Sequence, residues 1–208
     1  MTLKVDMRVL QLLCSRLCHD LVGPVGAVTN GVEMVEEFDP SMAEDAMRLI
    51  GESAGQAASR LQFFRYAYGR VGKPIGGDEL ASLLRGVFEG DSVTLDWPAG
   101  VASELLDGLR GKLVANMVAL MADALPRGGR ITVEFSPTGS RVRMSAEGPS
   151  AGLPENVVSA LAIDHDPDAL NARSVQAFFT ALVASAKGGS LTIQQSDADG
   201  LSMIAEGV

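Results

Sequence analysis

The sequence predicts an α+β protein, with an N-terminal helical hairpin followed by an α/β sandwich. Three observations predict it. Residues 6–68 carry apolar side chains in steps of three and four, the period of a helix face. The stretch Gly69-Arg70-Val71-Gly72-Lys73-Pro74-Ile75-Gly76-Gly77 then interrupts that pattern, as a linker does. Beyond it, short alternating segments of strand period are interleaved with helical ones. The expected organisation is a hairpin over 1–70, a linker over 71–77 and a sandwich over 78–208.

The first helix is expected over 6–38. Its apolar stripe is Leu10, Leu13, Cys14, Leu17, Leu21, Val25, Val28, Val32 and Val35. At 1.5 Å per residue it runs about 50 Å. Asp39-Pro40-Ser41 breaks it. A second helix follows over 41–68, with Met42, Ala46, Leu49, Ile50, Ala54, Ala57, Leu61, Phe64 and Ala67 on its apolar side. A short break between long helices makes an antiparallel hairpin. Such a hairpin cannot cover its own stripe, whereas two copies can do so as a four-helix bundle. A homodimer is therefore expected; the alternative is that the hairpin packs on the rest of its own chain.

After the linker, a helix is expected over 78–89 with Asp78 as its N-cap, then a strand over 92–97. A helix over 101–125 follows. Strands over 130–135 and 141–146 flank a turn at Pro137-Thr138-Gly139. Helices are expected over 154–161 and 168–187, the latter capped by Asp168. Gly188-Gly189 leads to strands over 190–195 and 201–205. The result is an antiparallel-leaning sheet with helices on one face.

Composition narrows the function. The chain has 208 residues, 17 basic and 26 acidic, for a net charge of −9, which argues against general nucleic-acid binding. No apolar run is long enough for a membrane span, and the N-terminus does not read as a signal peptide. The two cysteines, Cys14 and Cys18, do not form a secreted disulfide framework. A cytoplasmic protein with reduced thiols is expected.

His19 stands out. It lies two residues from both Leu17 and Leu21, so it points away from the apolar stripe. Its own face runs Arg16, His19, Gly23, Gly26 and Asn30, polar and small. A glycine inside a helix costs about 1 kcal/mol relative to alanine, and Pro24 removes the bond to the carbonyl of Asp20. Clearance for a partner approaching the imidazole would justify that cost; a local kink is the plainer explanation. An exposed imidazole can accept a phosphoryl group, and Asp20 can take a hydrogen bond from one ring nitrogen and leave the other nucleophilic. Taken alone, a surface histidine is also compatible with no chemical role. Cys14, Cys18 and His19 supply three ligand types without a nearby fourth, and their spacing misses that of haem attachment, so no metal site is expected. His165 sits in an acidic loop, Asp164-His165-Asp166-Pro167-Asp168, and reads as part of that loop.

The string Ser15-Arg16-Leu17-Cys18-His19-Asp20-Leu21-Val22-Gly23-Pro24 resembles the phosphoacceptor box of histidine kinases. The pattern H-D-L-x-G-P, followed by Asn30-Gly31, more closely resembles the ChpT-type histidine phosphotransferases of alphaproteobacterial cell-cycle phosphorelays. The resemblance covers the whole chain: hairpin, Gly-rich linker, then a degenerate kinase-like ATPase domain. It implies that His19 is the phosphoacceptor and Asp20 its catalytic neighbour. It implies as partners the receiver domain of a hybrid histidine kinase and the receivers of response regulators, including one of the CtrA type. It implies no cofactor of the chain's own, with Mg²⁺ supplied by the receiver. The partner surface is expected at Arg16, Gly23, Pro24 and Asn30. Phe63 and Phe64, near Arg60 and Arg65 at the end of the second helix, should sit beside His19, where they either dock a partner helix or pack in the core. Arg141 and Arg143 alternate onto one face of a strand and are candidates for an acidic receiver surface.

The second domain departs from the kinase pattern in three places. Asn116 matches the first Asn of the magnesium-holding helix, but Leu120 stands where the second is expected. The D-x-G-x-G element aligns with Ala146-Glu147-Gly148-Pro149-Ser150, which lacks the Asp and the last Gly. Ser174 and Gln176 occupy glycine positions of the phosphate loop, so the backbone cannot wrap a triphosphate there. These changes argue against an active ATP-dependent kinase. A non-catalytic dimeric adaptor that binds receivers is the other alternative.

Overall fold

The computed structural model describes residues 5–37, 42–70, 74–88, 92–101, 106–196 and 199–208. Helix α1 spans Met7–Glu37 without interruption, with Pro24 inside it, and α2 spans Ala43–Tyr68. The two pack as a hairpin. Their break at residues 39–41 lies outside the described residues. Glycine at position 31 has a packing reason, because a Cβ there would meet Ile50 Cγ1 at 2.6 Å.

The sandwich begins at α3, Gly77–Val87. Gly76 is its N-cap and makes no side-chain cap, so Asp78 lies in the first turn and does not cap it. The residue that would end it at 89 is outside the described residues. Strand β1 is Val93–Asp96, and α4 is Gly108–Asp123. The expected start of α4 at 101 is too early. Asp107 is the true cap, its carboxylate accepting from the amides of Leu109 and Arg110; residues 102–105 lie outside the described residues. Strands β2, Gly129–Phe135, and β3, Arg141–Glu147, form a hairpin, followed by the short α5, Glu155–Ser159.

The helix expected over 168–187 is split. A 3₁₀ turn covers Pro167–Ala169, and α6 begins only at Val175 and runs to Lys187. Side chains take over the backbone donors between them. Asp166, not Asp168, accepts from a backbone amide at the 3₁₀ turn, and Asn171 Oδ1 accepts from the amides of Arg173 and Ser174. Gly188 closes α6 in the left-handed conformation, φ +88°. Strands β4, Ser190–Ser196, and β5, Gly200–Glu206, complete the sheet.

Sheet order is β1-β2-β3-β5-β4, with β1 and β2 parallel and the other pairs antiparallel. Ile131, Val133, Val142, Met144, Met203 and Ala205 are buried on the covered face beneath α4 and α6, while Arg141 and Arg143 stay exposed. The core is contiguous with the hairpin's lower end, since Val9, Leu13, Phe63 and Ala67 belong to the same buried cluster as α4. Along the upper hairpin part of the apolar stripe stays uncovered among the described residues. Val25, Val32, Val35, Met47 and Leu61 are all exposed.

Asn116, which keeps the kinase pattern, and Gln176, which departs from it, have both become packing elements. Asn116 and Gln176 are fully buried. Gln176 Nε2 donates to Asn116 Oδ1 at 3.0 Å, and Asn116 Nδ2 donates to the carbonyls of Ala67 and Lys112 at 3.0 and 2.8 Å. Tyr68 Oη donates to Gln176 Oε1 at 2.5 Å. This network joins the foot of the hairpin to α4 and α6. Ser150, where the kinase pattern has its last glycine, keeps a positive φ of +61°.

Candidate functional site

The His19 imidazole is 89% exposed on the outer face of α1. Its Nδ1 lies 3.4 Å from Asp20 Oδ1, and no partner is recorded for Nε2 among the described residues. The Asp20 carboxylate is two-thirds covered and lies 3.9 Å from Arg16 Nε. Arg16 in turn donates from Nη2 to both oxygens of Asp123 at the end of α4, at 2.8 and 2.7 Å. A chain of charges therefore runs from the imidazole through Asp20 and Arg16 to Asp123. It ties the helix turn that bears His19 to the sandwich.

Asp123 is held above the usual carboxylate range by desolvation, which Arg16 partly offsets. Arg16 feels the same burial, but Asp123 holds its guanidinium firmly charged. Arg16 is thus occupied within the chain as a clamp on Asp123.

Pro24 explains a second contact. Having no N–H, it leaves the carbonyl of Asp20 without its helical donor. Arg60 Nη1 on α2 donates to that carbonyl. The hairpin register expected from sequence, with the end of α2 beside His19, is the one observed. Arg60 locks the turn that carries the histidine, a task legible only as the orphaned acceptor four residues before the proline.

The remaining candidates divide. A Cβ added at Gly23 or Gly26 would meet nothing within 4 Å, so both positions border open space next to His19. Asn30 is exposed. Pro24 is buried, which corrects its place on the expected partner surface. Phe63 is 4% exposed and belongs to the core, so it does not project toward a partner. Its ring stacks edge-on against Phe64 and Tyr68. Phe64 is half-buried and, with Arg16, Asp20, Arg60, Tyr68 and Asp123, lines a groove of about 210 Å³ between hairpin and sandwich. Arg141 and Arg143 lie on the open face of the sheet, as their alternation requires. Arg141 pairs with Glu206 and Arg143 lies 3.9 Å from Glu134, both across neighbouring strands. Such exposed pairs contribute little to stability. Cys14 and Cys18 are free and exposed.

Comparison with known proteins gives three findings. The family model of the histidine phosphotransferase C-terminal domain matches residues 77–199. The protein phosphotransferase ChpT of Brucella abortus (strain 2308) is 34% identical over 207 residues, covering 96% of this chain and 97% of that protein. A solved structure described as a bacterial phosphotransferase superposes with a TM-score of 0.79 at 31% identity, covering 99% of this chain and 98% of the other.

Proposed function

The chain belongs to the ChpT-type histidine phosphotransferases, protein phosphotransferases of phosphorelays, and from that premise we propose that His19 carries the phosphoryl group. The carrying observation is the imidazole itself, exposed, with Asp20 against Nδ1 and Nε2 open to solvent. With Nδ1–H donating to Asp20, the Nε2 lone pair attacks the phosphorus of a receiver's aspartyl phosphate. The Nε2–P bond forms as the P–O bond to the aspartate breaks, and that aspartate leaves as a carboxylate. Asp20 then faces the positive charge of the phosphoimidazole ring. In the second half-reaction a response-regulator aspartate attacks the same phosphorus and regenerates neutral His19. The donor in this reading is the receiver of a hybrid histidine kinase, and the acceptors include a CtrA-type regulator. Mg²⁺ comes with the receiver.

The open space at Gly23 and Gly26 supports approach of a receiver to the imidazole. The burial of Asn116 and Gln176, with Gln176 Nε2 donating to Asn116 Oδ1, supports a chain that takes phosphate from a receiver and not from ATP. The test is acid-labile label on the chain after incubation with a phosphorylated receiver domain, and separately with ATP alone. Label is expected from the receiver only. Label from ATP alone would make the protein a kinase, and no label from any of several receivers would favour the adaptor.

A homodimer is part of the same reading. An open apolar groove of about 650 Å³ runs along α1, lined by Leu10, Leu13, Leu17 and Leu21 with Leu61 and Phe64 of α2, largely the stripe read from sequence. Covering it with a second hairpin removes that surface from water and leaves both His19 rings outward. Sedimentation at micromolar concentration should give a dimer. Leu17→Glu, which places a charge in the groove, should shift it to monomer with the sandwich still folded; a wild-type monomer would exclude this assembly.

A further inference from the structure

Given His19 as the phosphoacceptor, we propose that Asp123, on the sandwich, is a positioning residue for the transfer: through Arg16 it holds the Asp20 carboxylate beside His19 Nδ1 and so keeps the Nε2 lone pair free for phosphorus. Asp123 is the last residue of α4 and touches no reacting atom. The sandwich thereby takes part in the chemistry of a residue on α1.

Asp20 is anchored by its backbone. Its carbonyl, orphaned by Pro24, accepts from Arg60 on α2. What stays free is the side-chain rotamer, which decides whether the carboxylate faces the imidazole. Oδ1 stands 3.4 Å from His19 Nδ1, and Oδ2 stands 3.9 Å from Arg16 Nε. The second distance is a charge contact, too long for a hydrogen bond. On a helix, a pair four residues apart is weaker with the cation on the N-terminal side. That pair by itself does not fix a side chain as long as arginine. Asp123 fixes it: both of its oxygens accept from Arg16 Nη2, at 2.8 and 2.7 Å.

Asp123 is unfavourable where it stands. The dipole of α4 disfavours a negative charge at the helix C-terminus. Desolvation opposes its ionisation as well, and Arg16 is what offsets it. The side chains of Arg16 and Asp123 are only 18% and 35% exposed, so each charge leans on the other. The charged groups facing Arg16 are Asp123 and Asp20, with Tyr68 beside it as a neutral phenol. Without a charge at position 123 the guanidinium has one carboxylate left to close on, Asp20. Closing on it draws Asp20 away from Nδ1. The ring proton then settles on Nε2, where it occupies the lone pair that attacks phosphorus.

The test has two readouts on the full-length chain: the His19 ring-nitrogen chemical shifts by NMR, and the rate of label uptake from a phosphorylated receiver. In the wild type the neutral ring is expected to carry its proton mainly on Nδ1. Asp123→Asn, nearly the same size without the charge, should move it toward Nε2 and slow uptake about tenfold. Asp123→Glu, which keeps the charge, should restore most of both. In an Arg16→Gln background Asp123→Asn should add nothing, since its effect passes through the guanidinium. Asp96→Asn, which breaks the exposed pair with Arg130, should leave both readouts at wild type. Should Asp123→Asn fail to fold, Arg16→Lys gives the same readings, because a point charge does not serve two carboxylates as a planar fork does. Wild-type ring shifts in Asp123→Asn, slowed uptake with an unchanged ring, or a further loss in the Arg16→Gln background would each overturn the proposal. A shifted ring in Asp123→Asn, with no label on the wild type from any receiver, would uphold the positioning of the ring and count against His19 as the phosphoacceptor.

Discussion

A His19→Gln chain is expected to take up no acid-labile phosphate from a phosphorylated receiver. The expected loss is at least ~10³-fold in the transfer rate, because no second nucleophile occupies that position. Glutamine preserves size and polarity but lacks a nitrogen lone pair that can bond to phosphorus. The side chain is 89% exposed, so the substitution should change stability by less than about 0.5 kcal/mol. Unchanged unfolding beside lost transfer separates chemistry from folding. Asp20→Asn probes the neighbour. It keeps an acceptor for Nδ1–H but removes the charge facing the phosphoimidazole, and a loss of about 10²-fold is expected. Transfer to His19→Gln at the wild-type rate would move the phosphoacceptor elsewhere.

Gln176→Ala should be the most destabilising single change in the joint between hairpin and sandwich, by about 3 to 5 kcal/mol. Gln176 is fully buried and serves Tyr68 and Asn116 at once. Truncation leaves both partners unsatisfied in the interior and opens a cavity. Burial pushes the Tyr68 phenol well up from its ordinary value, so it stays a neutral donor that needs its acceptor. Urea denaturation followed by circular dichroism reads the loss. Tyr68→Phe should cost less, about 1 to 2 kcal/mol. The double variant should cost less than the two singles added, since the two side chains share one bond. Strict additivity would mean that the network does not act as a unit.

The hairpin was legible in the sequence because its signals are local. Thirty-one residues of α1 repeat one period, and the proline within them does not end the helix because Arg60 takes the carbonyl that the ring orphans. His19 was legible for the same reason, by being two residues off an apolar stripe. The boundaries that failed depend on side chains competing for backbone donors. Asn171 takes amides that a continuous helix over 168–187 would have used, and Asp107 starts α4 well past the expected residue 101. Pro24 and Phe63 are covered, which helical period does not reveal, because period assigns a face and cannot say what covers it.

The sequence alone determined the α+β class, the order of helices and strands, and a histidine set on the polar face of a long helix, because periodicity and turn chemistry act over a few residues. Tertiary structure decided what those residues touch. It set Arg16 as a clamp on Asp123, 107 positions away in the chain. It joined Asn116, a remnant of a nucleotide pattern, to Gln176, a departure from it, as a buried bond between two parts of the molecule. Partners this far apart in sequence are chosen by packing, where an ion pair or amide is retained only if burial brings its complement within hydrogen-bond distance.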